Sequence, residues 1–303
     1  MDFLATLILG ANISEELEIA EKTHKNEFYF PFESLNESKV EILMVAIVVS
    51  VIQLVLFLIV KHNSHNDSKK DEESSKRRRS EHIKRSYQLT NLLVNFFLGT
   101  YGIYFFIQKI PSVQDISTVE KIEGMRDVTF FANVQIGYQL WAIPVGLFLV
   151  NEMGLMIVHH FAVICVASIS TFLTNGFRYY TPFFYGVIEI SSVPLSLMNM
   201  FKNNPEWQKR YPTANHIIRL VFSLTFLTVR VYMWLPLIYD YLRHLGMVLW
   251  TSDNFTVTCI YTSMCVSAVL LTFLQLFWAS LIVKGMVGVF TKPKKMVKHG
   301  KAN

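Results

Sequence analysis

Between Glu41 and Lys61 the chain runs for nineteen residues without a charge. That is close to the ~20 apolar residues a helix needs to cross a ~30 Å hydrocarbon core. In lipid, every backbone N–H and C=O must find its partner within the segment, so such a run is read as a helix. Comparable runs follow at about 88–107, 128–150, 153–173, 179–201, 216–241 and 256–284, giving seven spans. The expected fold class is therefore all-α, a polytopic membrane protein. Composition agrees: charged residues are 17% of the chain and hydrophobic ones 52%, whereas soluble domains carry about 25% charge.

The charges gather between the spans. Residues 1–41 are acidic, with nine Asp and Glu against three Lys. Asp2 stands where a signal peptide would be positive, so this segment is read as an uncleaved tail. Residues 61–82 follow the first span (42–60) as a basic loop containing KKDEESSKRRRSE, expected to be disordered. Within it, Ser80 after three arginines has the form of a kinase site. Residues 291–303 form a basic tail.

Seven spans place the termini on opposite sides. Eighteen of the 28 Lys and Arg fall in 61–87, 202–214 and the tail from 284, all on one side. The positive-inside rule makes that side cytosolic and the N-terminus lumenal. The sequons at Asn12, Asn36 and Asn254 then lie on the lumenal side, as glycosylation requires. The basic excess belongs to topology, so no nucleic-acid partner is implied. Cys165, Cys259 and Cys265 lack metal or disulfide spacing and are read as small core residues.

Polar residues inside the spans mark what the helices enclose, because ionisable groups in hydrocarbon cost roughly 2.5–3.5 kcal/mol each. Asn91 with Asn95, and Gln135 with Gln139, are pairs one turn apart, expected to bond between helices. In the fifth span Tyr185, Glu189, Ser192, Ser196 and Asn199 form a helical stripe, and Arg219, Ser223 and Arg230 form one in the sixth. Arg219 lies near a span end and can snorkel to water. Glu189 and Arg230 lie deep, and either pairing with each other or lining a hydrated cavity would offset their burial. His159 and His160 are adjacent, with Glu152 seven residues before them on the face of His159. An imidazole donates, accepts and titrates near neutrality, which suits proton transfer or nucleophilic work. No His-x3-His spacing and no carboxylate one turn from the pair argues for a metal.

These residues, in this order, resemble the TLC-domain family, which includes ceramide synthases and several groups of lipid-homeostasis proteins. The matching features are Glu152, the pair His159-His160, the segment Asn175-Gly-Phe-Arg178, the acid-bearing next span and Thr228-Val-Arg230-Val-Tyr-Met-Trp-Leu-Pro236. The resemblance covers roughly residues 83–290. It implies a six-helix barrel around a lipid cavity, preceded by one extra span, and it implies that the histidine pair acts in acyl transfer from acyl-CoA. Ceramide synthases carry a His-Asp motif in the span after the histidine pair. Here Val187-Ile-Glu189-Ile-Ser-Ser-Val-Pro194-Leu stands instead, which is similar to the TLC proteins not established as ceramide synthases.

Three functions stay open at this point. The first is an endomembrane protein, of the endoplasmic reticulum or a related compartment, that binds a lipid or acyl chain and acts in lipid homeostasis. His159, His160 and Glu189 are its candidate catalytic residues, with Tyr185, Ser192 and Arg230 against the lipid. The second is an acyl-CoA-dependent N-acyltransferase, with acyl-CoA as co-substrate, no other cofactor, and Glu189 tuning the imidazoles. The third is a non-enzymatic cargo receptor or translocation factor. A homodimer is compatible with all three.

Overall fold

The computed structural model describes residues 32–63, 72–108, 121, 128–174 and 176–291. Seven helices are long and apolar enough to cross a membrane: Ser38–Asn63, Ser75–Gln108, Thr129–Val150, Gly154–Leu173, Arg178–Lys202, Pro212–Thr251 and Phe255–Gly288. Among the described residues there is no strand. The chain is an all-α polytopic membrane protein.

Two helices are longer than their apolar runs. The second begins at Glu72, so part of the basic stretch expected to be a loop is helical. Lys, Arg and Glu are good helix formers, and Arg77 meets Glu81 one turn on at 3.3 Å. The sixth continues from the expected end at 241 through Thr251.

Six of the helices close a ring. The second span packs on the fifth, the fifth on the sixth, the sixth on the seventh, the seventh on the fourth and the fourth on the third. The third meets the second again, and the first span lies outside the ring across that seam. Leu43, Ile47, Val51 and Leu54 of the first span are more than half exposed, as a lipid-facing surface would be. Its inner face is held by polar contacts. The Trp141 indole N–H donates to Gln53 Oε1 at 2.7 Å, and Asn133 Nδ2 donates to Glu41 Oε2 at 2.6 Å.

The second and fifth spans touch backbone to backbone. A Cβ on Gly186 would lie 2.8 Å from the Gly102 Cα, and one on Gly99 would lie 2.8 Å from the Ile190 nitrogen. Small residues at such crossings let helices associate where no hydrophobic force separates lipid from protein.

The fifth span is not the continuous helix that its polar stripe suggested. It runs as short helical turns at Arg178–Tyr180, Thr181–Phe184 and Val187–Ser191 before the helix Ser192–Lys202. Pro182 and Pro194 lie in the first turns of two of these pieces, where a missing N–H costs nothing, and Gly186 lies at the break between them. In the sixth span Pro236 cannot donate to the carbonyl of Tyr232, and the turn Thr228–Met233 is π-helical. Such wide turns occur often at functional sites, and Arg230 lies in this one.

Only one of the three cysteines packs as a core residue. Cys165 and Cys259 are exposed and Cys265 is half-buried. Cys265 packs against the main core cluster, as expected, whereas the exposed Cys165 and Cys259 do not, and the sequence offered no sign of which face packs.

Candidate functional site

Lys84, Arg85, Lys202, Lys209 and Arg210 gather at one end of the ring, the basic end. A cavity of about 440 Å³ runs from there into the ring. Lys84, Lys202 and Asn203 line its mouth, and His159, Glu189 and Arg230 line its inner end. Ligand cavities commonly enclose about 300–1,000 Å³, so it has the size of a binding site. Beyond the same three residues lies a second, smaller space of about 30 Å³, lined by Tyr185, Ile188 and Tyr241 among others. That is room for about one water molecule.

The walls of the large cavity differ in character. Asn91, Asn95, Gln139, Ser196 and Asn199, from the second, third and fifth spans, form a hydrogen-bonding side. Phe222, Phe226, Trp278, Leu281 and Ile282, from the sixth and seventh, form an apolar side. The Asn pair and Gln139, expected only to bond between helices, therefore also line the cavity. Asn91 does both, because its Oδ1 accepts the Tyr138 O–H at 3.0 Å.

At the inner end, polar groups from four spans converge. Glu189 Oε1 accepts from Gln135 Nε2 at 3.0 Å, and its Oε2 accepts from the Ser192 hydroxyl at 2.7 Å. Residues three apart in a 3₁₀ turn eclipse, which brings Glu189 and Ser192 together. The Arg230 guanidinium lies 3.5 Å from Glu189 Oε2. It also donates to Ser191 Oγ at 2.6 Å, to Ser192 Oγ at 2.9 Å and to Gln275 Oε1 at 3.5 Å. Both charged residues are buried. The pairing of Glu189 with Arg230 expected from their depth is what the geometry contains.

The histidines lie beside this cluster. His159 packs edge-on against Trp278, with ring centroids 5.6 Å apart. His160 Nε2 lies 3.5 Å from Glu152 Oε2, which itself accepts the Tyr87 O–H at 2.9 Å. Glu152 precedes the fourth helix, which starts at Gly154, so a helical projection that pairs it with His159 does not apply. The carboxylate beside the histidine pair is Glu152, and Glu189 is engaged with Gln135, Ser192 and Arg230. Neither nitrogen of His160, nor His159 Nδ1, has a hydrogen-bond partner among the described residues. Buried polar atoms are nearly always paired, so these imidazoles are available to something that enters the cavity.

Of the residues singled out from the sequence, His159, Glu189 and Arg230 border both spaces, His160 and Ser192 border the large one, and Tyr185 borders the small one. Arg219 lies apart, exposed and bonded to Asn215 at 3.1 Å. Asn254 is exposed, and its Oδ1 caps the last helix by accepting from the Thr256 N–H at 2.9 Å. Asn36 falls in the first helix, Phe32–Asn63, whereas Asn12 lies outside the described residues.

The sequence reading missed Ser191, Gln275 and Tyr87. Gln275, alone among apolar neighbours in the seventh span, was the readable signal. It also missed a second polar cluster at the opposite end. Lys121 Nζ lies 3.0 Å from Asp240 Oδ2, Tyr180 donates to the same oxygen at 2.8 Å, and Tyr180 lies 3.1 Å from His244 Nδ1. The spacing of Asp240 and His244, one helical turn, was its signal. Among the described residues no three His, Cys, Asp or Glu side chains group as metal ligands.

A ring of six membrane helices around a two-faced cavity, with a buried ion pair and free imidazoles at its inner end, defines the class of protein. A model of the TLC domain matches residues 84–284, from the second span to the seventh, and the chain belongs to the TLC-domain family. The match covers the ring and leaves out the first span. No curated protein and no solved structure matches the chain significantly.

Removing one member of a buried ion pair strands the other, at a cost of about 3–5 kcal/mol. Arg230→Gln and Glu189→Gln are each expected to destabilise the fold by that order in denaturant titrations of the detergent-solubilised protein. The double variant should cost clearly less than the sum. Strictly additive losses would show that the two groups do not interact.

Proposed function

We propose that the chain binds a membrane lipid inside the ring and acts in membrane lipid homeostasis. The observation that carries this reading is the cavity of about 440 Å³, hydrogen-bonding on one side and apolar on the other. An amphiphile can present a polar headgroup to the amides and hydroxyls while its chain lies along Phe222, Phe226 and Trp278. His159, His160, Ser192 and the Glu189–Arg230 pair are its polar floor. Tyr185, behind that floor, supports it rather than touching the lipid.

A second reading, acyl transfer from acyl-CoA, is favoured by the unpartnered imidazole nitrogens. A nucleophile or general base must be free to meet its substrate. On this reading His159 or His160 accepts a proton or carries the acyl group, and Lys84 and Lys202 meet the negative charge of the donor at the mouth.

Lipid extraction from the purified chain, with mass spectrometry, separates the outcomes. Wild-type protein is expected to retain a defined lipid, and His159→Ala with His160→Ala to retain several-fold less. Equal retention would count against the site. Incubation with acyl-CoA adds the second arm, in which a histidine-dependent adduct or acylated product identifies turnover.

We further propose an endomembrane location, such as the endoplasmic reticulum, with the basic end cytosolic. The support is the concentration of Lys and Arg at that end and the exposure of Asn254 at the other. The Asn254 Oδ1 caps a helix, which leaves the amide nitrogen for a glycan. In sealed microsomes, added protease should remove an epitope placed at the C-terminus and spare one inserted beside Asn254. The reverse pattern would overturn the orientation.

A further inference from the structure

The two histidines are not equivalent. His159 faces the Trp278 ring and borders both spaces at the floor of the cavity. His160 alone has a carboxylate within ion-pair reach among the described residues, that of Glu152.

The position of that carboxylate is built in several steps. The third helix ends in a π-helical turn, Gly146–Val150, and Asn151 follows with φ of 57°. In this left-handed conformation Asn is among the residues tolerated best. The reversal lets the Glu152 N–H bond back to the Gly146 carbonyl at 2.9 Å. Gly146 leaves room for the side chain, because a Cβ there would lie 2.8 Å from Glu152 Oε2. Tyr87 then fixes the same oxygen from the second span at 2.9 Å. Tyr87 is itself fully buried and stacked on Trp141 at 5.3 Å between centroids.

We propose that Glu152, held by Tyr87, is the positioning residue for His160 and makes it the reactive member of the pair. The Glu152 carboxylate lies 3.5 Å from Nε2, within electrostatic reach though not hydrogen-bonded to it. A negative charge on that side favours the tautomer with the proton on Nε2, leaving Nδ1 as the basic nitrogen. Glu189 has no part in this, because both its oxygens are already bonded to Gln135, Ser192 and Arg230. The inference deepens the proposed site by dividing labour within it. His160 with Glu152 and Tyr87 does proton or nucleophile work, and His159 with the Glu189–Arg230 layer shapes the floor.

The test needs no lipid, so its outcome is separate from that of lipid retention. The full-length purified chain is treated with diethylpyrocarbonate, and the carbethoxylation rates of His159 and His160 are followed by tandem mass spectrometry of their peptide. In the wild type His160 is expected to react faster than His159. Glu152→Gln should slow His160 several-fold and leave His159 unchanged, Glu152→Asp should recover part of the rate, and Tyr87→Phe should slow His160 to a smaller degree. An unreactive wild-type His160, an unchanged His160 rate in Glu152→Gln, or an equal slowing of both histidines accompanied by a lower unfolding temperature would each overturn the proposal.

Discussion

The ion pair between Glu189 and Arg230 is what the interior of the ring depends on. Two charges held away from water are tolerable only if each finds a partner and the remaining hydrogen-bonding positions are filled. Here they are filled from four directions, by Gln135 of the third span, Ser191 and Ser192 of the fifth, Gln275 of the seventh and Arg230 of the sixth. The pair therefore does two things. It ties together helices that lipid would otherwise separate without penalty, and it sets a polar floor under a cavity that opens toward the basic end.

The outer elements reinforce the same arrangement. The first span is outside the ring, yet Gln53 accepts from Trp141, whose ring stacks on Tyr87 and Tyr138. Tyr138 bonds to Asn91 on the cavity wall, and Tyr87 bonds to Glu152 beside the histidines. A continuous series of contacts thus leads from the lipid-facing helix to the site. At the other end, the aromatic packing of Phe177, Tyr180 and Tyr241, with the Lys121–Asp240 pair, fills the ring below the floor. In the described residues, access to the large cavity lies at the basic end.

How much of this could be read from the sequence varied with the physics of each feature. The seven spans were legible because an apolar run of sufficient length has few alternatives in lipid. The deep placement of Glu189 and Arg230, and their mutual pairing, followed from the cost of unpaired charge. Helical periodicity failed where the chain is not α-helical. The stripe from Tyr185 to Asn199 is interrupted by 3₁₀ turns, which turn Ser191 and Ser192 together onto Arg230 and leave Tyr185 behind the floor. Glu152 lies outside its helix, so counting seven residues led to the wrong histidine. Span ends were misread where charged residues continue a helix, at Glu72–Arg85 and beyond Asp240 at Arg243 and His244, because an apolar run ends where charges cluster and the backbone does not. The cysteines show the remaining limit, since a small apolar side chain carries no mark of which helix face meets protein and which meets lipid.

The central claim is that the ring holds an amphiphile between the lysines of the mouth and the Glu189–Arg230 floor. The most direct measurement is a high-resolution structure of the purified chain in lipid nanodiscs. The account predicts elongated density within the cavity, its polar end against the Asn and Ser side and its chain along Phe222, Phe226 and Trp278, ending beside His159 and His160. A cavity holding only discrete water molecules, with lipid confined to the outer surface of the helices, would contradict it.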